Sequence, residues 1–285
     1  FVNIAIKDAY LDIIFDAYWK NNLDISNEEI LISLIKKCKI NPDNFLNGIK
    51  DADIKNELIN GRGYSIFSVK NIHILENLRN NFIKRIYNSD KSSKSIFDTR
   101  KLLAKMSKAE INKSMISLLS FTNLSEMMIS ACSDIIEELC GKELFIQRRA
   151  HTIINVPGEG QAKQWTHYEL MSGISPFTYV IWAPLHDLDD DGGVYYIDLN
   201  KSLKIMEEEE QTGVVNGKKV LNLMENQKPT KLQFGQAIIF NPFVLHGNTT
   251  FNSEYARVAC NVRFQSFRKP LLQKNTDYLK YYKLA

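Results

Sequence analysis

The sequence predicts an α+β protein: an antiparallel β barrel or sandwich preceded and flanked by helices. Three observations predict it. Helical signals crowd the first half of the chain. From Glu143 onward, short β-branched and aromatic runs take over, of the kind that suits strands. Turn residues separate those runs: Pro157-Gly158, Gly192-Gly193, Asn216-Gly217 and Phe234-Gly235. Many strands with helices gathered in front of them favour a layered antiparallel architecture over a parallel α/β one.

Residues 1–61 read as a helical appendage. Ser26 is followed three positions later by Glu29, the pattern that satisfies free amides at a helix start. Asn41-Pro42 opens another helix, with Asn as cap and Pro in the first turn, where its missing N–H costs nothing. Gly61-Arg62-Gly63 makes a plausible seam, and residues 62–285 read as the main domain. GYSIFSV alternates as a short strand. Leu75, Leu78, Phe82 and Ile86 fall on one helical stripe, and Leu124, Met128, Ala131, Ile135 and Leu139 on a second. ELFIQRRAHTIINV, KQWTHYELM, FTYVIWAPL, GVYYIDL, KLQFGQAIIF and YARVACNVRFQSF then suit strands.

Composition excludes several functions. The 285 residues are 44% hydrophobic, enough for a sizeable core. Against 36 basic residues stand 33 acidic ones, a net +3, and the basic residues are scattered. No nucleic-acid partner is expected on that balance. No apolar run approaches the roughly 18–20 residues of a membrane span, and no signal peptide is visible, so no membrane partner is expected. Cys38, Cys132, Cys140 and Cys260 have neither metal-site nor redox-pair spacing and read as reduced thiols of a cytoplasmic protein.

The chemistry lies further along. On a strand, His167 and Glu169 project to one face, where an imidazole and a carboxylate can share a metal. Phe240-Asn-Pro-Phe-Val-Leu-His246-Gly247 places a second histidine at the end of another strand. Two histidines and one carboxylate form a facial triad, which leaves three adjacent metal positions open. Arg257 follows His246 on YARVACNVRF, where a guanidinium can grip a carboxylate through two parallel bonds. Arg263, on the same strand face, is a candidate for an anionic substrate group, and Asn248 for a hydrogen bond to a second small molecule bound at the metal as co-substrate. A rival set, His186 with Asp187 or Asp189, sits in an acidic turn that reads better as a solvated hairpin loop. His73 and His151 read as structural.

These segments resemble the phytanoyl-CoA dioxygenase-like 2-oxoglutarate oxygenases, of the double-stranded β-helix (jelly-roll) superfamily. The matching residues are QWTHYE, FTYVIWAPLHDLDDDGG and FNPFVLHGNTTFNSEYARVACNVRF. The resemblance covers residues 62–285 and is nearest to members from carbohydrate and aminoglycoside-type biosynthetic clusters. It implies a jelly-roll barrel flanked by helices, Fe(II) at His167, Glu169 and His246, and 2-oxoglutarate at Arg257. It also implies a small-molecule substrate, sugar-like or a natural-product intermediate, with dioxygen as the other reactant. The family's usual carboxylate is aspartate; this chain has Glu169. A catalytically inactive jelly-roll binding protein and a cupin-type metal isomerase are the alternatives. Separately, FDAYWKNNLDISNEEILISLIKKCKINPDNFLNGI in residues 1–60 resembles the helical insertion of the DsbA and 2-hydroxychromene-2-carboxylate isomerase family. The flanking thioredoxin-type strands and the CxxC motif of that family are absent, so the segment reads as a fragmentary appendage without redox function.

Overall fold

The computed structural model describes residues 57–58, 61–88, 93–107, 109–111, 123–157, 166–189, 194–213, 228–248, 253–271 and 278–284, together with residues 13, 16–21, 23 and 28–37 near the N-terminus. The chain divides into two compact units, Phe1–Asp53 and Ile54–Ala285. In the first, the described elements are helical: a π-type turn at Asp16–Lys20 and helix α1 at Glu28–Lys37. The expected cap at Ser26 and the helix after Pro42 lie outside the described residues.

The second unit begins before the expected seam. Leu58 is buried, its carbonyl accepts from Asn241 Nδ2, and the Gly63 N–H donates to the Glu57 carbonyl. Gly63 is a tight joint inside the unit. Its φ is +80°, and a Cβ there would lie 2.6 Å from Val244 Cγ2.

Strand β1 (Tyr64–Ser68) follows, then helices α2 (Ile72–Ile86), α3 (Ile96–Leu103), α4 (Leu124–Ala131) and α5 (Ser133–Cys140). The first expected stripe is borne out: α2 buries Leu75, Leu78 and Phe82. The second stripe is real but is carried by two helices, because the helix breaks at Cys132. Met128 and Ile136 on these helices are fully covered and belong to the same core as Val258, Cys260, Val262 and Phe264 of the sheet. At roughly 1.5–3 kcal/mol per buried large apolar side chain, this helix–sheet interface is a main source of stability.

Strands β2 (Glu143–Gln147), β3 (His151–Asn155), β4 (Tyr179–Pro184), β5 (Val194–Tyr196), β6 (Gln236–Phe240), β7 (His246–Asn248), β8 (Arg257–Ser266) and β9 (Leu279–Lys283) complete the unit, with helix α6 (Leu199–Thr212) between β5 and β6. All strand pairs among the described residues are antiparallel. The large sheet runs β1-β6-β4-β8-β2-β9, and β3 pairs with the Arg257–Asn261 half of β8. The small sheet is β5-β7, extended by a β-bridge between His167 and His246.

From β3 onward the chain alternates between the sheets: β3 large, His167 small, β4 large, β5 small, β6 large, β7 small, β8 large. That winding is a double-stranded β-helix, and its two sheets remain distinct among the described residues. Strand β8 is the hub. It is buried over nearly its whole length, with Val258, Cys260, Val262 and Phe264 on one face. Arg257, Asn261, Arg263 and Gln265 occupy the other, and all four are buried. Polar groups so deep need partners, and those partners build the site.

Candidate metal centre

One nitrogen or oxygen from each of His167, Glu169 and His246 lies within 4.8 Å of the others, near enough for all three to hold one metal ion. The path to that convergence differs from the expected strand. His167 makes only a bridge, its N–H donating to the His246 carbonyl at 2.9 Å and its carbonyl accepting the His246 N–H at 3.1 Å. After Tyr168 the chain turns into a single 3₁₀ turn, Glu169–Ser172, closed by Gly173 at φ +71°. Tyr168 fixes the break by donating its hydroxyl to the Ser202 carbonyl of α6. Glu169 therefore reaches the site from a turn, and strand alternation is not what aligns it with His167. His246, expected at a strand end, instead opens β7.

His246 is oriented by the backbone. Its Nδ1 lies 3.0 Å from the Val244 carbonyl, to which it can donate, and its Nε2 faces Glu169 Oε1 at 3.5 Å. The ring stacks on Tyr196, interplanar angle 13°. The next residue has no room for a side chain: a Cβ on Gly247 would lie 2.5 Å from the Tyr195 hydroxyl, which bonds Thr166 just before His167.

Glu169 is 2% exposed. Burial alone would raise its pKa, but hydrogen bonding from His246 and the charge and hydrogen bonds of Arg263 outweigh it and hold the carboxyl at about 2. The Arg263 guanidinium lies against Oε2 through Nε at 2.7 Å and Nη2 at 2.6 Å. Expected at an anionic substrate group, Arg263 is thus engaged with the acidic member of the triad.

Arg257 is 1% exposed, and Nη2 donates to Asn155 Oδ1 at 2.7 Å and Asn248 Oδ1 at 2.6 Å. Burial pushes its pKa down to about 10. Its guanidinium sits 5.7 Å from the Trp182 ring centre. Asn248, Trp182 and the three candidate ligands all line one cavity of about 130 Å³, with Phe240, Tyr196, Asn261 and Arg263. Arg257 is joined to that wall through its bond to Asn248.

The rival set is not assembled. His186 Nε2 accepts the Val258 N–H at 3.1 Å, and its Nδ1 lies 2.6 Å from the Asp187 carbonyl, so both ring nitrogens serve the backbone. His73 is exposed on α2. His151, read as structural, lines the cavity instead, directly across β3–β8 from Asn261. Reasoning from sequence also missed Asn155. The pattern His151-x-Ile153-x-Asn155 puts both polar side chains on one strand face, a readable signal, but only the pairing Asn155↔Arg257 gives it meaning.

No family model matches the chain, and no curated protein matches it in sequence. Among solved structures it is similar to HygX from Streptomyces hygroscopicus with nickel and 2-oxoglutarate bound: 12% identity, TM-score 0.44, covering 74% of this chain and 86% of that one. It is also similar to EctD from S. alaskensis in its apoform: 13% identity, TM-score 0.46, covering 74% and 76%. A third is the alpha ketoglutarate dependent epimerase SnoN from nogalamycin biosynthesis: 12% identity, TM-score 0.45, covering 76% and 83%. The double-stranded β-helix assignment rests on the chain's own strand order.

Proposed function

We propose that this protein is a non-haem Fe(II)- and 2-oxoglutarate-dependent oxygenase acting on a small metabolite. The observation that carries the reading is the convergence of two imidazoles and one carboxylate on a buried cavity wall. That donor set suits a divalent first-row metal and leaves room beside it for further ligands. His167, Glu169 and His246 would hold the ion. Arg257, with Asn248, would hold the far carboxylate of the keto acid; a buried guanidinium fixed by carboxamide oxygens is set to receive a carboxylate through paired N–H bonds. Iron with 2-oxoglutarate, when bound, supplies oxidative decarboxylation to succinate and carbon dioxide, coupled to oxidation of the substrate.

The remaining work belongs to the chain. Val244 orients the His246 ring through its carbonyl, and Tyr196 and Phe240 pack against that ring and shield it from water. Trp182 lines the cavity, with the Arg257 guanidinium 5.7 Å from its ring centre. Hydroxylation is the default outcome; desaturation, epimerisation and ring closure use the same arrangement. The phytanoyl-CoA dioxygenase-like type and a sugar-like or natural-product substrate are the finer part of this proposal, resting on the quoted motifs. A cytoplasmic location belongs to it as well; among the described residues no helix is long and apolar enough to cross a membrane.

Anaerobic titration with Fe(II) and then 2-oxoglutarate tests the reading. A weak visible charge-transfer band should grow on adding the keto acid, and admitting air should release succinate. Metal binding without either signal would sink the oxygenase reading and favour the metal isomerase; no metal binding would favour the inactive binding protein.

A further inference from the structure

Two features of the site go beyond holding a metal: a glutamate stands where an aspartate is usual, and a second arginine is buried beside it. Arg263 is 7% exposed and Glu169 2%. Both Nε and Nη2 of Arg263 converge on a single oxygen, Oε2, at 2.7 and 2.6 Å. The other oxygen, Oε1, faces His246 Nε2. The carboxylate is therefore divided, with one oxygen taken by a charge-assisted hydrogen bond from Nε and the close ion-pair contact of Nη2, and the other turned to His246.

Arg263 is itself anchored from other elements. Its Nη1 donates to the Tyr278 hydroxyl at 2.8 Å, and its backbone N–H donates to Gln147 Oε1 at 3.1 Å. Gln147, fully buried on β2, is tied in turn to the Arg149 carbonyl. Because Glu169 arrives on a 3₁₀ turn, strand geometry does not orient its side chain, and some other contact must.

We propose that Arg263 is a positioning residue that fixes Glu169 as a one-oxygen ligand, Oε2 locked to the guanidinium and Oε1 presented to the ion. This rests on the metal-site reading above. Its consequence is specific. A free glutamate can bind a metal through both oxygens and would then fill one of the three positions that a bidentate keto acid and dioxygen require. By occupying Oε2, Arg263 keeps that position open. The extra methylene of glutamate then lets one carboxylate reach both the guanidinium and the metal. Arg263, so engaged, does not serve an anionic substrate.

Co(II) is a suitable probe because its visible d–d bands report coordination number. Wild type, Arg263→Met, Glu169→Ala and the double variant are titrated with Co(II) alone. Arg263→Met should weaken Co(II) binding about 10- to 100-fold, the usual effect of losing a group that orients a ligand. It should also change the d–d bands of what does bind, a change that a purely structural role would not produce. In the Glu169→Ala background the Arg263→Met change should have no further effect, since Arg263 acts only through that carboxylate. Arg263→Lys keeps the buried charge but not the two-point grip and should fall between; it carries the test if Arg263→Met fails to fold. Wild-type affinity and bands in either Arg263 variant, or an equal loss with and without Glu169, would overturn the inference while leaving the metal site standing. Failure of wild type to bind Co(II) would remove both.

Discussion

Towards its two ends β8 carries the same residue on the same face, yet in different surroundings. At one end Arg257 is held by the carboxamide oxygens of Asn155 and Asn248, and burial drags its pKa down to about 10. At the other, burial acts on Arg263 in the same direction, but the Glu169 carboxylate and Tyr278 reverse it and raise the pKa above the usual arginine value. What differs is the company that the folded sheets bring. A buried guanidinium among neutral amides remains strongly attractive to an incoming anion, whereas one paired with a carboxylate has its field largely cancelled. In the proposed reading, charge position, rather than charge count, separates a co-substrate anchor from a ligand positioner.

The strongest way to break that comparison is to remove the first arginine. Arg257→Met should weaken 2-oxoglutarate binding by about two to three orders of magnitude, the ~2–5 kcal/mol typical of truncating one partner of a buried charge pair. Fe(II) binding should be nearly unchanged, because no ligand is lost. Titrating the iron-loaded variant with 2-oxoglutarate reads this directly. Parent-like affinity would mean that the keto acid is anchored elsewhere.

A smaller effect is expected midway between the two ends. Gly247 separates His246, a candidate metal ligand, from Asn248, the partner of Arg257. A Cβ there would meet the Tyr195 hydroxyl at 2.5 Å. Gly247→Ala should cost about 1–3 kcal/mol of stability by overpacking, and it should impair metal and 2-oxoglutarate binding together. Loss of one without the other would show that the two ends are less coupled through β7 than their contacts suggest.

The smallest effect is confined to the Arg257 end. His186 accepts the N–H of Val258, the next residue along β8, and burial, with the nearby Arg100 charge, lowers its pKa to about 4. The unfolded chain, with an ordinary histidine pKa near 6.5, takes up the proton first as pH falls. The stability contributed by neutral His186 is therefore complete above about pH 6.5 and declines toward pH 4, with a slope of at most about 1.4 kcal/mol per pH unit. His186→Gln, melted alongside the parent at pH 7 and pH 5, should lose less on acidification. Equal losses would rule out His186 as the source.

The sequence by itself singled out the candidate site residues and the elements that carry the core. The α+β class, the runs that became β1, β4, β5, β6 and β8, and the α2 stripe all follow from periodicity, because a side chain's face is set by backbone geometry within a few residues. The chemical types of His167, Glu169, His246 and Arg257 could be picked out for the same reason: few other groups can ligate a metal or clamp a carboxylate. Only the tertiary structure decided how they meet. QWTHYELM has the composition of a strand, yet the chain turns at Glu169 because Tyr168 is anchored on α6, an element that lies more than thirty residues further along. Arg257 and Arg263 share residue type and strand face, so the linear pattern does not show which partner each will meet. One became a neighbour of Asn155 and the other of Glu169 through the register of β3 on β8 and the approach of the small sheet, contacts between residues about a hundred positions apart. Such pairings depend on how whole sheets dock, and no local preference of the backbone encodes them.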